Sequence, residues 1–226
     1  MVDGVLLDWE GVLVDTGTTR REALLRALAD EGVRFDELAY DECCHGHSVH
    51  RAAAAAVGSA VFDPTLIELV TMRAQREFAA RVAQGFALRA GAARLLELAQ
   101  LRAPVAIVTA AGRTETDSVL RLAGLHDSCA ALVTADDVPG DAPSRAQHDA
   151  ALAGLARRRP VRREHVIALA ATAPAIRAAR EAGVRVIAVD VPAHVALEAD
   201  GALASLEQVS MDELETLAGI PAERRA

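Results

Sequence analysis

Val5-Leu6-Leu7-Asp8-Trp9-Glu10-Gly11-Val12-Leu13-Val14-Asp15-Thr16 is the stretch that decides the fold. From Gly4 to Leu7 the residues are apolar without alternation, which is the pattern of a strand covered on both faces, as in the middle of a parallel sheet. The run stops at Asp8. A carboxylate therefore stands at the carboxyl end of that strand, with a second acid, Glu10, two residues on. Open parallel sheets bind their ligands at this end.

Working outward, a helical stretch from about Thr18 to Asp30 carries Leu24, Leu25 and Leu28 on one face, and Gly32 ends it. Two further helical patterns follow, His50 to Val57 and Thr65 to Val82, after an irregular segment from Asp41 to Ser48. From Ala87 the rhythm changes. Helix Ala90–Gln100 precedes strand Val105–Thr109, and helix Thr114–Ala123 precedes strand Ala130–Val133. Helix Arg145–Leu155 precedes strand Val166–Ala170, and helix Pro174–Ala182 precedes strand Val184–Val189. Such alternation predicts right-handed βαβ units. The fold expected is α/β, a doubly wound parallel sheet of Rossmann-like form with an inserted α-helical cap. Residues 1–16 and 87–226 would make the core, and residues 17–86 the cap. The tail from Gly219 is expected to fray.

Composition narrows the function. The formal net charge of −8 excludes nucleic acid as a default partner. No apolar run approaches the length of a membrane span, and Asp3 and Asp8 break the first one, so it does not read as a targeting segment. Cys43, Cys44 and Cys129 make an odd count, which points to a reducing cytoplasm. The cluster Arg157, Arg158, Arg159, Arg162 and Arg163 reads as a solvated surface. All 24 residues of the Lys+Arg total are arginine, so the chain holds no lysine.

Four strand ends can be read as the rim of a ligand cleft. They offer Asp8 and Glu10; then Thr109, Ala110, Ala111, Gly112 and Arg113; then Asp136 and Asp137, followed by Gly140, Asp141, Ser144 and Arg145; and last Ala170, Ala171 and Thr172. On these residues the chain resembles the haloacid dehalogenase superfamily, in its beta-phosphoglucomutase-like branch with a helical cap. The resemblance runs from Val2 to about Leu217. The opening motif Asp-x-Asp-Gly-x-x-x-Asp stands here as Asp8-Trp9-Glu10-Gly11-Val12-Leu13-Val14-Asp15, and Thr109 matches the hydroxyl that closes a later strand. Ala175–Gly183 and Ala199–Leu206 resemble the family's later segments.

The resemblance implies that Asp8 attacks phosphorus to form an aspartyl-phosphate. Glu10 would protonate the leaving oxygen and then activate water. Thr109 would hold a phosphoryl oxygen. Mg²⁺ would be the cofactor, with Asp8 and Glu10 among its ligands, and acids after the fourth strand would complete the metal site. The ligand implied is a small molecule, in this family a phosphorylated one.

Three parts depart from that pattern. Glu10 replaces Asp, displacing the carboxylate by over ~1 Å, a shift worth roughly 10²-fold in rate when uncompensated. The lysine position falls near Asp141. The late acid positions fall on Ala170 and Ala171. Arg113 and Arg145 are the candidates to supply positive charge, with Arg a planar fork rather than a point charge. These departures favour a pseudoenzyme that binds a small molecule or a protein partner. An enzyme of altered, metal-free chemistry and a weak phosphatase using Asp8 and Glu10 are the alternatives. Phosphonate cleavage and dehalogenation, by resemblance, each require a lysine and are rejected. Asp136 and Asp137 read as loop or helix caps.

Cys43-Cys44-His45-Gly46-His47-Ser48-Val49-His50 packs five metal-capable side chains into eight residues. The spacing matches no common zinc motif. By resemblance, Gly46-His47-Ser48 belongs to a loop that reaches the substrate from the cap, so His47 and Ser48 are candidate substrate-binding residues.

Overall fold

The computed structural model describes residues 1–58 and 63–221. Residues 222–226, the end of the segment assigned to the core and its tail, lie outside the described residues.

The chain begins with strand β1 (Gly4–Asp8) and a two-residue strand β2 (Val14–Asp15). Helices α1 (Gly17–Asp30), α2 (Glu37–Cys43), α3 (Val49–Gly58) and α4 (Pro64–Val82) follow. Strand β3 (Ala87–Leu88) pairs antiparallel with β2, Val14 opposite Leu88, so the chain leaves for these helices and returns side by side. Then come α5 (Ala92–Arg102), β4 (Val105–Val108), α6 (Arg113–Leu122), β5 (Ala131–Val133), α7 (Arg145–Ala156), β6 (Val166–Ala170), α8 (Ala173–Glu181) and β7 (Arg185–Val189). Helix α9 (Ala193–Ala196), strand β8 (Gly201–Leu203) and helix α10 (Met211–Leu217) close the described chain.

Six strands form one sheet in the order β5-β4-β1-β6-β7-β8, and every neighbouring pair is parallel. This is the α/β doubly wound arrangement the alternation predicts. β1 lies between β4 and β6, which explains its unbroken apolar run. Its side chains alternate between two cores. Val5 and Leu7 join Ile107, Ile167 and Ile187 against α5, α6 and α10. Leu6 joins Val108, Ala168 and Val186 against α7 and α8. Both faces are covered, and because all six strands run parallel their carboxyl ends open toward one rim.

Helices α1 to α4 share a third apolar cluster, with Leu24, Leu28, Tyr40, Val57, Ile67 and Val70 at its centre. α4 starts where Asp63 caps two amides and Pro64 takes the first helical position. α2 forms partly where the sequence suggests irregular chain. Asp36 accepts from the Ala39 N–H at 2.9 Å, and burial of Tyr40 holds the short helix on its neighbours. β8 is likewise invisible as a pattern, because three residues carry no period. No helix among the described residues is long and apolar enough to cross a membrane.

Candidate functional site

The loop after β1 is set by Gly11. Its φ is +79°, and a Cβ there would lie 2.4 Å from the Ala171 Cβ. Only glycine meets both demands. The Gly11 N–H donates to the Val14 carbonyl at 2.8 Å, and the Leu13 and Val14 amides return to the Trp9 carbonyl. Trp9 itself is fully buried in the core beneath the loop. This turn aims Asp8 and Glu10 at the rim while hiding the residue between them.

Asp8 sits opposite Val108 of β4. Amide N–H groups of Trp9 and Ala171 donate toward its carboxylate, yet burial and then the neighbouring Glu10 charge push its pKa up to about 7. Glu10 is held from the other side. Its Oε1 accepts from the Thr16 N–H at 2.8 Å and its Oε2 from the Thr16 hydroxyl at 2.5 Å. Arg20, one turn into α1, lies 3.9 Å from the same Oε2. The stronger partner of Arg20 is Glu115 in the first turn of α6, at 2.5 Å. Both side chains are nearly buried, and the guanidinium stacks 4.9 Å from the Phe78 ring centre. Burial pushes the Glu115 carboxyl upward against the pull of Arg20.

Thr109 follows β4. Its hydroxyl accepts from the Ala111 N–H at 3.0 Å, which leaves its proton free to donate. Its carbonyl accepts from the buried Gln147 side chain of α7 at 2.7 Å. Next to it in α7, the His148 Nδ1–H donates to the Ser144 carbonyl at 3.0 Å, and burial lowers the pKa of the ring. β6 ends on buried Ala170, and Ala171 and Thr172 follow; the Thr172 hydroxyl caps α8 by accepting from the Ala175 N–H at 3.4 Å.

The helical layer closes over this rim. Gly46, at φ +78°, lies against Thr172, where a Cβ would come within 2.8 Å of the hydroxyl. The Ser48 N–H donates to the Ala142 carbonyl at 3.2 Å, and Arg51 of α3 pairs with Asp141 at 2.7 Å. His47 faces inward, with its Nδ1 buried and unpartnered and its pKa lowered by burial and then by Arg51.

Together these residues enclose a cavity whose interior leaves about 50 Å³ for the centres of water-sized molecules. Asp8, Glu10, Arg20, Tyr40, His45, His47, Thr109, His148 and Thr172 are its polar wall, and Leu6, Val108, Ala168 and Ala170 are part of its apolar one. The space suits about three to five water-sized groups, the size of a phosphate or a short organic molecule.

Of the residues singled out in the sequence, the cavity brings together Asp8, Glu10, Thr109 and His47. Ser48, Arg113 and Arg145 do not line it. Arg113 bonds the Leu132 carbonyl and Asp137, while Arg145 pairs with Asp149 on its own helix. Asp141 is exposed, pairs with Arg51 and does not line the cavity, though its charge reaches His47. Asp136 and Asp137 act as caps: the first accepts from the Arg113 N–H, the second from Thr134. The five residues of the Cys43–His50 segment do not converge. Cys43 is exposed, Cys44 is buried, and His50 turns to Glu68. Among the described residues no three metal-capable side chains gather. Arg159, Arg162 and Arg163 of the surface cluster bind the N-terminal segment and α7. The inward arginine, Arg20, was not marked by the sequence.

Mg²⁺ takes six oxygens in a near-octahedral set. The cavity wall offers two carboxylates, and Glu10 is already engaged by Thr16 and Arg20. Ala170 and Ala171 add no side-chain oxygen. This donor set does not fit a resident Mg²⁺.

The model of the haloacid dehalogenase-like hydrolases matches residues 5–189. No curated protein matches the chain. Among solved structures, CbbY from Rhodobacter sphaeroides in complex with phosphate is 25% identical, with a TM-score of 0.83, over 95% of this chain and 100% of that one. A mutant of CbbY in complex with xylulose-(1,5)bisphosphate is also 25% identical, with a TM-score of 0.80, over 95% of this chain and 99% of that one. Beta-phosphoglucomutase from Clostridium difficile shares the fold at 15% identity, with a TM-score of 0.83, over 97% of this chain and 98% of that one. With the family model covering β1 through β7, the chain belongs to the haloacid dehalogenase-like hydrolase family.

Proposed function

We propose that this chain is a small-molecule-binding member of its family that does not carry out Mg²⁺-dependent phosphoryl transfer. One observation carries the reading: the cavity wall has Ala170 at the end of β6 and, among the described residues, a single guanidinium, Arg20, which is paired with Glu115. A carboxylate nucleophile approaching a phosphate dianion needs a compensating cation. Here Asp8 faces a second acid instead. The cavity under the helical layer supports binding of a small ligand.

A second reading is a weak phosphatase with Asp8 as nucleophile and Glu10 as acid and base. It is favoured by the shared cavity of Asp8, Glu10 and the free proton of the Thr109 hydroxyl. The two are separated by calorimetric titration with Mg²⁺ and by trapping an aspartyl-phosphate from acetyl phosphate, alongside Asp8→Asn. The proposed function expects no Mg²⁺ heat and no adduct. An Asp8-dependent adduct would establish the phosphatase reading.

A further inference from the structure

The charge on the cavity wall points to the class of ligand. Asp8 and Glu10 face the cavity as acids, and Arg20 is divided between Glu10 at 3.9 Å and Glu115 at 2.5 Å. Burial disfavours the charged form of His47 and His148, and His45 also lines the wall. Arg51 and Arg177, the cations near His47, are paired outside with Asp141 and Glu198. Among the described residues the single guanidinium on the wall, Arg20, is already shared by two carboxylates, which leaves no guanidinium free for an anionic guest. An independent feature has the same sense: the His47 Nδ1 is buried without a hydrogen-bond partner, and with the ring neutral it can offer a lone pair to a donor. Beside these acceptors lie Leu6, Val108, Ala168 and Ala170, an apolar surface for a short carbon body.

We propose that the cavity binds a short aliphatic primary amine in its ammonium form, the nitrogen between Asp8 and Glu10 and the carbon chain against the alanine and valine wall, and that it rejects phosphate. This rests on the proposed function, since a phosphatase would have to admit the dianion. The ligand must be small, as the interior of about 50 Å³ matches about three to five heavy atoms. A unit-charge pair near 4 Å is worth about 1 kcal/mol in water and more in a partly closed site, so the sign of the charge changes affinity at least about fivefold.

The test uses three probes of nearly equal size, n-propylammonium, 1-propanol and propionate, with inorganic phosphate as a fourth. Each is titrated at pH 8 into the full chain, following the backbone amide NMR signals of Trp9 and Ala171. The expected result is propylammonium binding at least about fivefold tighter than propanol, with no saturable shift from propionate or phosphate. In Asp8→Asn, with its amide spectrum showing the native fold, the advantage over propanol should shrink at least about fivefold. Propanol matching the ammonium, any anion binding as tightly, or no probe binding overturns the proposal. The acetyl phosphate assay keeps the two readings apart. If no aspartyl-phosphate forms but phosphate binds here, the amine assignment alone fails. If the adduct forms, the proposed function fails.

Discussion

Arg20 of α1 and Glu115 of α6 form a nearly buried ion pair at 2.5 Å that joins the helical layer to the sheet core. Its position beside Glu10 makes it both a structural tie and the reason the cavity lacks a free cation. Removing one partner strands the other charge away from water. Arg20→Ala is therefore expected to cost about 3–5 kcal/mol, because it leaves Glu10 and Glu115 side by side without compensation. Replacing both partners, as Arg20→Met with Glu115→Leu, should recover most of that loss. Urea unfolding of Arg20→Met, Glu115→Leu and the double variant decides it. Additive losses in the double variant would mean that the pair is not coupled.

The Asp8 carboxyl gives the protein a pH-dependent stability of known sign. In the unfolded chain it titrates near its ordinary value of about 4, and in the folded chain near 7. Below pH 4 both states hold the proton and there is no effect. Between pH 4 and 7 the unfolded chain releases the proton first, so stability falls as pH rises. Three units correspond to at most roughly 4 kcal/mol, reached above pH 7. Asp8→Asn removes this slope. It should match the parent at pH 4 and exceed it at pH 8 in urea midpoints. Parallel curves for the two proteins would show that Asp8 ionises freely in the folded state.

Gly11 offers a test of the loop that aims the two acids. Gly11→Ala must accept both an unfavourable φ and a collision with the Ala171 Cβ, and is expected to cost about 2–4 kcal/mol. Adding Ala171→Gly removes the collision and leaves the backbone strain. The pair should therefore regain about half of the loss, measured by thermal unfolding. Full recovery would mean that the positive φ costs nothing.

How much of this was legible beforehand differs between scaffold and site. β1, β4, β6 and β7 are short apolar runs between helical patterns, and burial on both faces leaves that signature in the residues themselves. Helix α2 has acids at Glu37, Asp41 and Glu42 and a single buried anchor, Tyr40, so its formation depends on neighbours from other parts of the chain. The same holds for the site. Asp8, Glu10 and Thr109 are fixed by strand ends, which periodicity locates. Arg20 stands in Thr18-Thr19-Arg20-Arg21-Glu22, which reads as a solvent face. Its burial is created by Glu115 and Phe78, both distant in sequence. Arg113 and Arg145 looked suitable by position alone, but local acids, Asp137 and Asp149, hold them away from the cavity. A charged side chain is directed by its nearest partner, and sequence order does not reveal which partner that is.

The missing acid after β6 can be restored. Ala170 is 2% exposed and lines the cavity with Asp8 and Glu10. Ala170→Asp places a third carboxylate there, which without metal repels the other two and lowers stability. With Mg²⁺ the same three groups can share an ion. A dissociation constant near 1 mM would then return about 1.4 kcal/mol at 10 mM Mg²⁺. For a domain of this size that is about 3–5 °C in Tm. The parent, measured at matched ionic strength, should show no Mg²⁺-dependent rise. A rise in the parent equal to that in the variant would mean that Asp8 and Glu10 already hold the ion. Such a result would move the weight from the binding function to the phosphatase reading, because it would supply the counter-charge that the alanines at the end of β6 do not.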